Sequence, residues 1–76
     1  MRDQIAKLLY ARPFRSFAIQ ADSDLAYSIP TAEHALLART VIVIEDDSGY
    51  VDIVPYSAIH RLRLLRELDE PNRDYR

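Results

Sequence analysis

Apolar side chains near the amino terminus recur at the three- and four-residue intervals of an α-helix. Ile5, Leu8 and Leu9 share one face of this predicted helix. Asp3 lies where a carboxylate favours the amino end of a helix. Pro13 ends the helix, because proline has no N–H group and disfavours helical backbone in the preceding residue. A helix this short is unstable alone, so the pattern predicts that it packs against a sheet.

Beyond this helix the period changes to the alternation of β-strands. Residues 17–21 and 25–29 alternate apolar with small or polar side chains, and the turn triplet Asp-Ser-Asp at 22–24 separates them. We therefore expect a hairpin, whose second strand is closed by Pro30. Helical and extended spacings compete in residues 31–39, where we expect a loop or a single helical turn followed by a strand.

The strongest strand pattern lies in residues 40–45, which include four consecutive β-branched apolar residues. A strand that is apolar on both faces is covered on both sides, so we expect a barrel interior on one face. The amino-terminal helix or a partner subunit would cover the other face. Residues 46–49 (Asp-Asp-Ser-Gly) have the composition of a tight hairpin loop, with the chain's single glycine where positive φ is needed. Residues 50–54 resume the alternation, with Val51 and Ile53 on one face.

The carboxyl-terminal part of the chain contains one more predicted element. Residues 55–57 interrupt the alternation, and residues 59–64 predict a final short strand or helical turn with Arg61 and Arg63 facing outward. Residues 66–76 are polar and are predicted to form a flexible tail. We therefore expect a single globular domain over residues 1–65.

The predicted fold is mainly β, of the α+β class. It consists of an amino-terminal helix followed by a small bent antiparallel sheet or a five-strand barrel. The element order resembles the Sm-like small barrel, in which a helix caps a strongly bent five-strand sheet and a short turn separates the last two strands. The glycine that this fold usually carries in its first hairpin is replaced here by the triplet at 22–24. The resemblance concerns topology alone.

Three short motifs resemble those of a family of short uncharacterised bacterial proteins. Residues 13–17 (Pro-Phe-Arg-Ser-Phe) match that family's Pro-Phe-x-Pro-Phe start of the first strand, with Ser16 in place of the second proline. Residues 31–33 (Thr-Ala-Glu) keep the glutamate of an x-Pro-Glu segment, and residues 59–62 (Ile-His-Arg-Leu) have the character of an Ile-x-x-Ile ending. The resemblance supports the fold and implies no activity.

Composition excludes several classes of chemistry. The chain has 76 residues, no cysteine and one glycine. It therefore has no disulfide, no thiolate metal site, no cysteine nucleophile and no glycine-rich loop for phosphate. No apolar stretch approaches the roughly 20 residues that span a bilayer, and the first residues lack an apolar signal region. We expect a cytoplasmic protein that does not bind membranes.

Candidate catalytic and metal-binding residues follow no recognised pattern. Turn chemistry explains the aspartates at 46–47, which fit no EF-hand or other ligand spacing. His34 and His60 lie far apart and have no cysteine beside them. His34 as a general base, paired with Glu33 or Ser57, would have neither a nucleophile elbow nor an oxyanion hole in the sequence. We expect no enzyme activity, no cofactor and no metal.

Charge and arginine content give one hypothesis for binding. The net charge is −2, with an acidic middle segment between more basic ends, which weakens the case for nucleic acid. If the first and last strands are neighbours, arginines would cluster with Tyr10 or Tyr56, a combination that suits phosphate contacts and base stacking. Charged outward positions that discourage edge-to-edge aggregation explain the same pattern. The cluster comprises Arg12, Arg15, Arg61, Arg63 and Arg66. Weak single-stranded RNA binding through Arg15, Arg61 and Arg63 is the alternative hypothesis.

Tyrosine content favours a different hypothesis. The chain has five tyrosines, a residue type enriched where one end of the ring is dry and the other wet. The candidates for a protein-binding surface are Tyr27, Tyr50 and Tyr56, although core packing explains them almost as well. An unclosed small barrel also leaves strand edges that need covering. The preferred interpretation is a non-enzymatic protein-interaction module that binds a protein partner or forms a homo-oligomer through strand edges.

Overall fold

The structure, a computed structural model, describes residues 1–22 and 25–65. It contains one α-helix and six β-strands, which form two three-stranded antiparallel sheets. The elements are α1 (Arg2–Leu9), β1 (Phe17–Ala21), β2 (Ala26–Ile29), β3 (Ala35–Leu37), β4 (Val41–Glu45), β5 (Val51–Pro55) and β6 (Ile59–Leu64). Short 3₁₀ helices at Ala32–His34 and Tyr56–Ala58 connect β2 to β3 and β5 to β6. The predicted fold class, mainly β with an amino-terminal helix, is confirmed.

Sheet A has the strand order β2-β1-β6. Phe17 of β1 lies opposite Ile29 of β2 on one side and opposite Leu64 of β6 on the other. The register between β1 and β6 shifts between Gln20 and Ala21, where the ladder is irregular. The final element is therefore a strand, and it is the direct neighbour of the first strand.

Sheet B has the strand order β3-β4-β5. Val43 at the centre of β4 lies opposite Leu36 of β3 and opposite Ile53 of β5. Because opposite residues project to the same face of a sheet, these three side chains form one row. Ile42 and Val54 are also opposite each other, and both are buried on the other face.

The hairpin loop between β4 and β5 has the predicted conformation. Gly49 has a φ of 90°, a left-handed backbone that residues with a Cβ adopt at a cost. The Asp46 carboxylate accepts hydrogen bonds from the backbone N–H groups of Ser48 (2.9 Å) and Tyr50 (3.0 Å). The short acidic side chain thus satisfies turn donors locally, which is the reason for aspartate in such loops.

The core lies between α1 and the inner faces of both sheets. Its largest fully buried side chains are Ile5, Phe17, Ile19, Ile29 and Ile42. Full burial of a side chain of this size contributes about 1.5–3 kcal/mol, so these five residues contribute substantially to the stability of a small, cysteine-free domain. Helix α1 contributes to this interior and leaves the outer face of β4 uncovered.

Two sequence predictions change in the structure. The two sheets do not close, so of the two predicted architectures the five-strand barrel is wrong. The amino-terminal helix does not cover the outer face of β4. Its buried residues Ile5 and Leu9 pack into the core, on the inner side of the sheet.

One further prediction is confirmed, and others concern residues that the structure does not describe. A single helical turn followed by a strand, expected for residues 31–39, is confirmed. The predicted flexible tail at 66–76 and most of the turn at 22–24 lie outside the described residues. No helix in the described part of the chain is long and apolar enough to cross a membrane.

Candidate functional site

Among the described residues, one edge of β5 has no neighbouring strand, so its backbone groups on that side have no strand partner. Asp46 N–H donates a hydrogen bond to the Tyr50 carbonyl at 3.0 Å, which shows that the backbone of Tyr50 faces β4. Successive residues of an antiparallel strand face opposite neighbours. Val51 and Ile53 therefore direct their N–H and C=O groups away from β4, toward the open side of the sheet.

The side chains at this edge are apolar and exposed. Ile53 is 65% exposed and Val51 is also exposed, while Tyr50 at the end of the hairpin is 73% exposed. Pro55 has no N–H to donate, so the outward donors of β5 are those of Val51 and Ile53. Asp52 lies between them, exposed, with its side chain on the opposite face of the strand.

Among the described residues, one edge of β6 also lacks a neighbouring strand. Leu65 N–H donates to the Ser16 carbonyl at 2.9 Å, so the backbone of Leu65 faces β1. The alternation then directs the N–H and C=O groups of Leu62 and Leu64 outward. Leu64 is exposed and Leu62 is half-buried. Each sheet thus ends in a strand whose open edge is apolar.

The structure brings together two of the three arginines of the RNA hypothesis. Arg61 lies opposite Gln20 and Arg63 lies opposite Ala18, so both arginines project from the outer face of sheet A. Both are exposed, and neither pairs with a carboxylate among the described residues. Arg15 is exposed in the segment before β1, three positions ahead of Ala18. Of the remaining cluster, Arg12 is exposed in the same segment, and Arg66 lies outside the described residues.

The three candidate tyrosines do not form one surface. Tyr50 is 73% exposed at the end of the β4–β5 hairpin. Tyr27 is half-buried in β2 opposite Ile19. Tyr56 is half-buried, and its hydroxyl donates a 2.7 Å hydrogen bond to the Ala38 carbonyl. Tyr50 is therefore the tyrosine with the ring available at a strand edge, whereas the Tyr56 hydroxyl has a structural partner.

A cavity of about 370 Å³ opens beside His34. Neither Glu33 nor Ser57, the partners considered for a general base, is hydrogen-bonded to its ring: His34 Nε2 lies 2.9 Å from Asp47 Oδ1, and His34 Nδ1 lies 2.8 Å from Thr31 Oγ1. An ionised carboxylate can only accept, so Nε2 donates to Asp47; in the neutral imidazole, Nδ1 then accepts from the Thr31 hydroxyl.

This hydroxyl–imidazole–carboxylate chain has a structural role in holding the loops. Thr31 is the N-cap of the 3₁₀ helix and also accepts a hydrogen bond from Glu33 N–H at 3.3 Å. These hydrogen bonds therefore connect the segment before β3 to the β4–β5 loop. The three-residue spacing of Thr31 and His34 is a signal that sequence reading missed, whereas Asp47 is brought in by the sheet. His60 contacts Asp22 in a second pair, across sheet A.

The described residues contain no group of three or more His, Asp or Glu side chains placed to hold a metal ion. No protein-family model, no curated protein and no solved structure matches the chain. The function proposed below therefore rests on the geometry of the chain's own surfaces.

Proposed function

We propose that the chain is a non-enzymatic protein-interaction module of the bacterial cytoplasm that self-associates through its strand edges. The observation that carries this proposal is that both sheets end in an open, apolar edge, β5 in one sheet and β6 in the other. Such edges pair readily with another strand, so soluble proteins cover or protect them. The helix–hairpin–hairpin order of an Sm-like fold is compatible with this proposal.

The two edges are complementary in one antiparallel register. If β5 of one copy pairs with β6 of another, the outward-facing residues come directly opposite each other: Ile53 beside Leu62 and Val51 beside Leu64. Asp52 then lies beside Arg63 on the other face. Each apolar or opposite-charge cross-strand pair stabilises by about 0.2–1 kcal/mol. Shifting the register between β5 and β6 by two residues would place His60 beside Ile53, and one of the two apolar pairs would be lost.

Pairing of two different edges has a consequence for assembly size. A contact between β5 and β6 is heterologous, so each added copy again exposes one free β5 and one free β6. Such a series closes into a ring or continues as an open chain. We therefore expect assemblies larger than a dimer.

Charge exchange at Asp52 and Arg63 tests this register. Both side chains are exposed, so Asp52→Lys and Arg63→Asp should leave the single chain folded. Each single variant places like charges opposite each other in the assembly, whereas the double variant restores opposite charges. We expect molar mass from light scattering to fall in both single variants and to recover in the double variant. Arg12→Asp changes the charge equally at an exposed site outside the strands and should assemble like the parent.

Two outcomes would refute the proposal. The first is a parent protein that is monomeric at every concentration. The second is a pair of single variants that assemble as well as the parent, because the register requires Asp52 and Arg63 to be neighbours. Circular dichroism of each variant separates lost assembly from lost folding.

Single-stranded RNA binding is the second candidate function, favoured by the position of Arg61 and Arg63 on one exposed face. Guanidinium groups that neutralise phosphates give an affinity that falls steeply between roughly 50 and 200 mM salt. We expect an Arg61→Ala, Arg63→Ala double variant to lose the binding of a fluorescent single-stranded RNA. If this variant binds RNA as well as the parent, the RNA hypothesis is wrong.

A further inference from the structure

The outer face of sheet B is apolar and uncovered by any described residue. We define this face as the side chains of Leu36, Val41, Val43, Val51 and Ile53. Its central row is Leu36–Val43–Ile53, which crosses all three strands. Leu36 is 66% exposed and Ile53 is 65% exposed. Exposed apolar side chains that form a contiguous patch are one feature of interaction surfaces.

Charges of opposite sign lie at the two ends of this face. Glu45 ends β4, and with Glu33 it borders a groove of about 290 Å³ that also contains Leu36 and Val51. Both glutamates are exposed.

The other end of β4 is basic. Arg39 is exposed in the β3–β4 connection, two residues before the first residue of β4. Arg2 Nε donates a 3.3 Å hydrogen bond to the carbonyl of Ala38 in the same connection. No ion pair joins Arg2, Arg39, Glu33 or Glu45 to any described residue. The face thus has an acidic end and a basic end, with apolar side chains between them.

We propose that a second copy of this chain covers the outer face of sheet B, related by a two-fold axis that makes the two β4 strands antiparallel. A two-fold contact uses the same patch on both copies. The antiparallel arrangement brings Glu45 and Glu33 of each copy to Arg39 and Arg2 of the other, and it stacks the two apolar rows. A parallel arrangement would bring the glutamates together and the arginines together, which opposes association.

This contact is distinct from the edge pairing proposed above and goes beyond it. Edge pairing uses backbone groups of β5 and β6, whereas the face contact uses side chains of all three strands of sheet B. From the strand spacing and the rise per residue, three strands, the longer two of five residues, present a face of at most roughly 14 by 17 Å. That is small for a stable dimer, so the contact is weak alone and gains strength when edge-linked copies bring faces together.

The test begins from the Asp52→Lys variant, in which two like charges oppose edge pairing. Asp52 projects from the opposite side of β5, so this change leaves the outer face intact. We expect sedimentation at high protein concentration to show a monomer–dimer equilibrium. Adding Leu36→Lys should weaken the dimer about tenfold or more, because a buried leucine is replaced by a charge. Leu25→Lys is the matched control, since Leu25 is exposed outside this face, and it should not change the equilibrium.

A charge exchange tests the antiparallel arrangement. In the same Asp52→Lys background, Glu45→Lys and Arg39→Glu should each weaken the dimer, and the double exchange should restore it. Tighter dimers in either single variant would overturn the arrangement.

The outcomes separate this proposal from edge pairing. If Asp52→Lys is monomeric at all concentrations while the parent assembles, edge pairing stands and the face contact is wrong. Equal dimerisation of the Leu36→Lys and Leu25→Lys variants would also overturn the face contact, since some other surface would then hold the dimer.

Discussion

Two isoleucines on neighbouring strands of sheet B provide a matched test of which face belongs to the core. Ile42 in β4 is fully buried, whereas Ile53 in β5 is 65% exposed. The same substitution, isoleucine to alanine, can be made at both positions. The single chain should therefore lose much more stability from Ile42→Ala than from Ile53→Ala.

The size of the difference follows from burial. Truncation of a fully buried isoleucine to alanine removes its transfer free energy and leaves a cavity, and costs about 2–5 kcal/mol. Ile53 has about one third of its surface covered, so the same change should cost about 0.5–1 kcal/mol. A domain of this size has a free energy of unfolding of about 4–11 kcal/mol, which makes the difference between the variants easy to measure.

Urea unfolding followed by circular dichroism in dilute solution is the assay. If Ile42→Ala does not fold, the milder Ile42→Val should still cost about 0.5–1.5 kcal/mol, and Ile53→Val close to zero. At high protein concentration Ile53→Ala should become more costly, because the proposed association would cover this side chain. Equal losses for the two alanine variants in dilute solution would refute the assignment of inner and outer faces.

Three substitutions test local features of the fold by the same unfolding assay. Gly49→Ala should cost about 1–2 kcal/mol because of the positive φ, even though the space around the residue is open, while the neighbouring Ser48→Ala should cost little. Tyr56→Phe should cost about 1 kcal/mol by removing the bond to the Ala38 carbonyl, whereas Tyr50→Phe at an exposed site should not change stability. Asp46→Ala should cost about 1 kcal/mol, because two turn N–H groups lose their acceptor. An unchanged free energy of unfolding in any of the first-named variants would contradict the role given to that residue.

Periodicity made most of the strands predictable. The alternation in β1, β2 and β5 depends on side chains within one strand, and the composition at 46–49 specifies a tight turn locally. Gly49 has the positive φ expected of the chain's single glycine. These features are local, so neighbouring residues determine them.

Features that depend on distant residues could not be predicted. The contact of His34 with Asp47 requires that the start of β3 lie beside the β4–β5 loop, which results from strand pairing. Nor could the sequence show which face of β5 is inside. Val51 and Ile53 are the more apolar pair, yet they face outward, and Val54 packs into the core. An apolar pair on the outside is unfavourable for an isolated chain, and the proposed association would cover it.

The solution molar mass of the parent protein, measured by light scattering across a wide range of concentration, tests self-association most directly. The edge-pairing account predicts a mass well above that of one 8.8 kDa chain, rising with concentration for open chains or constant for a closed ring. The Asp52→Lys variant measured alongside should have a lower mass than the parent. A parent protein that has the mass of one chain at every concentration would contradict the account.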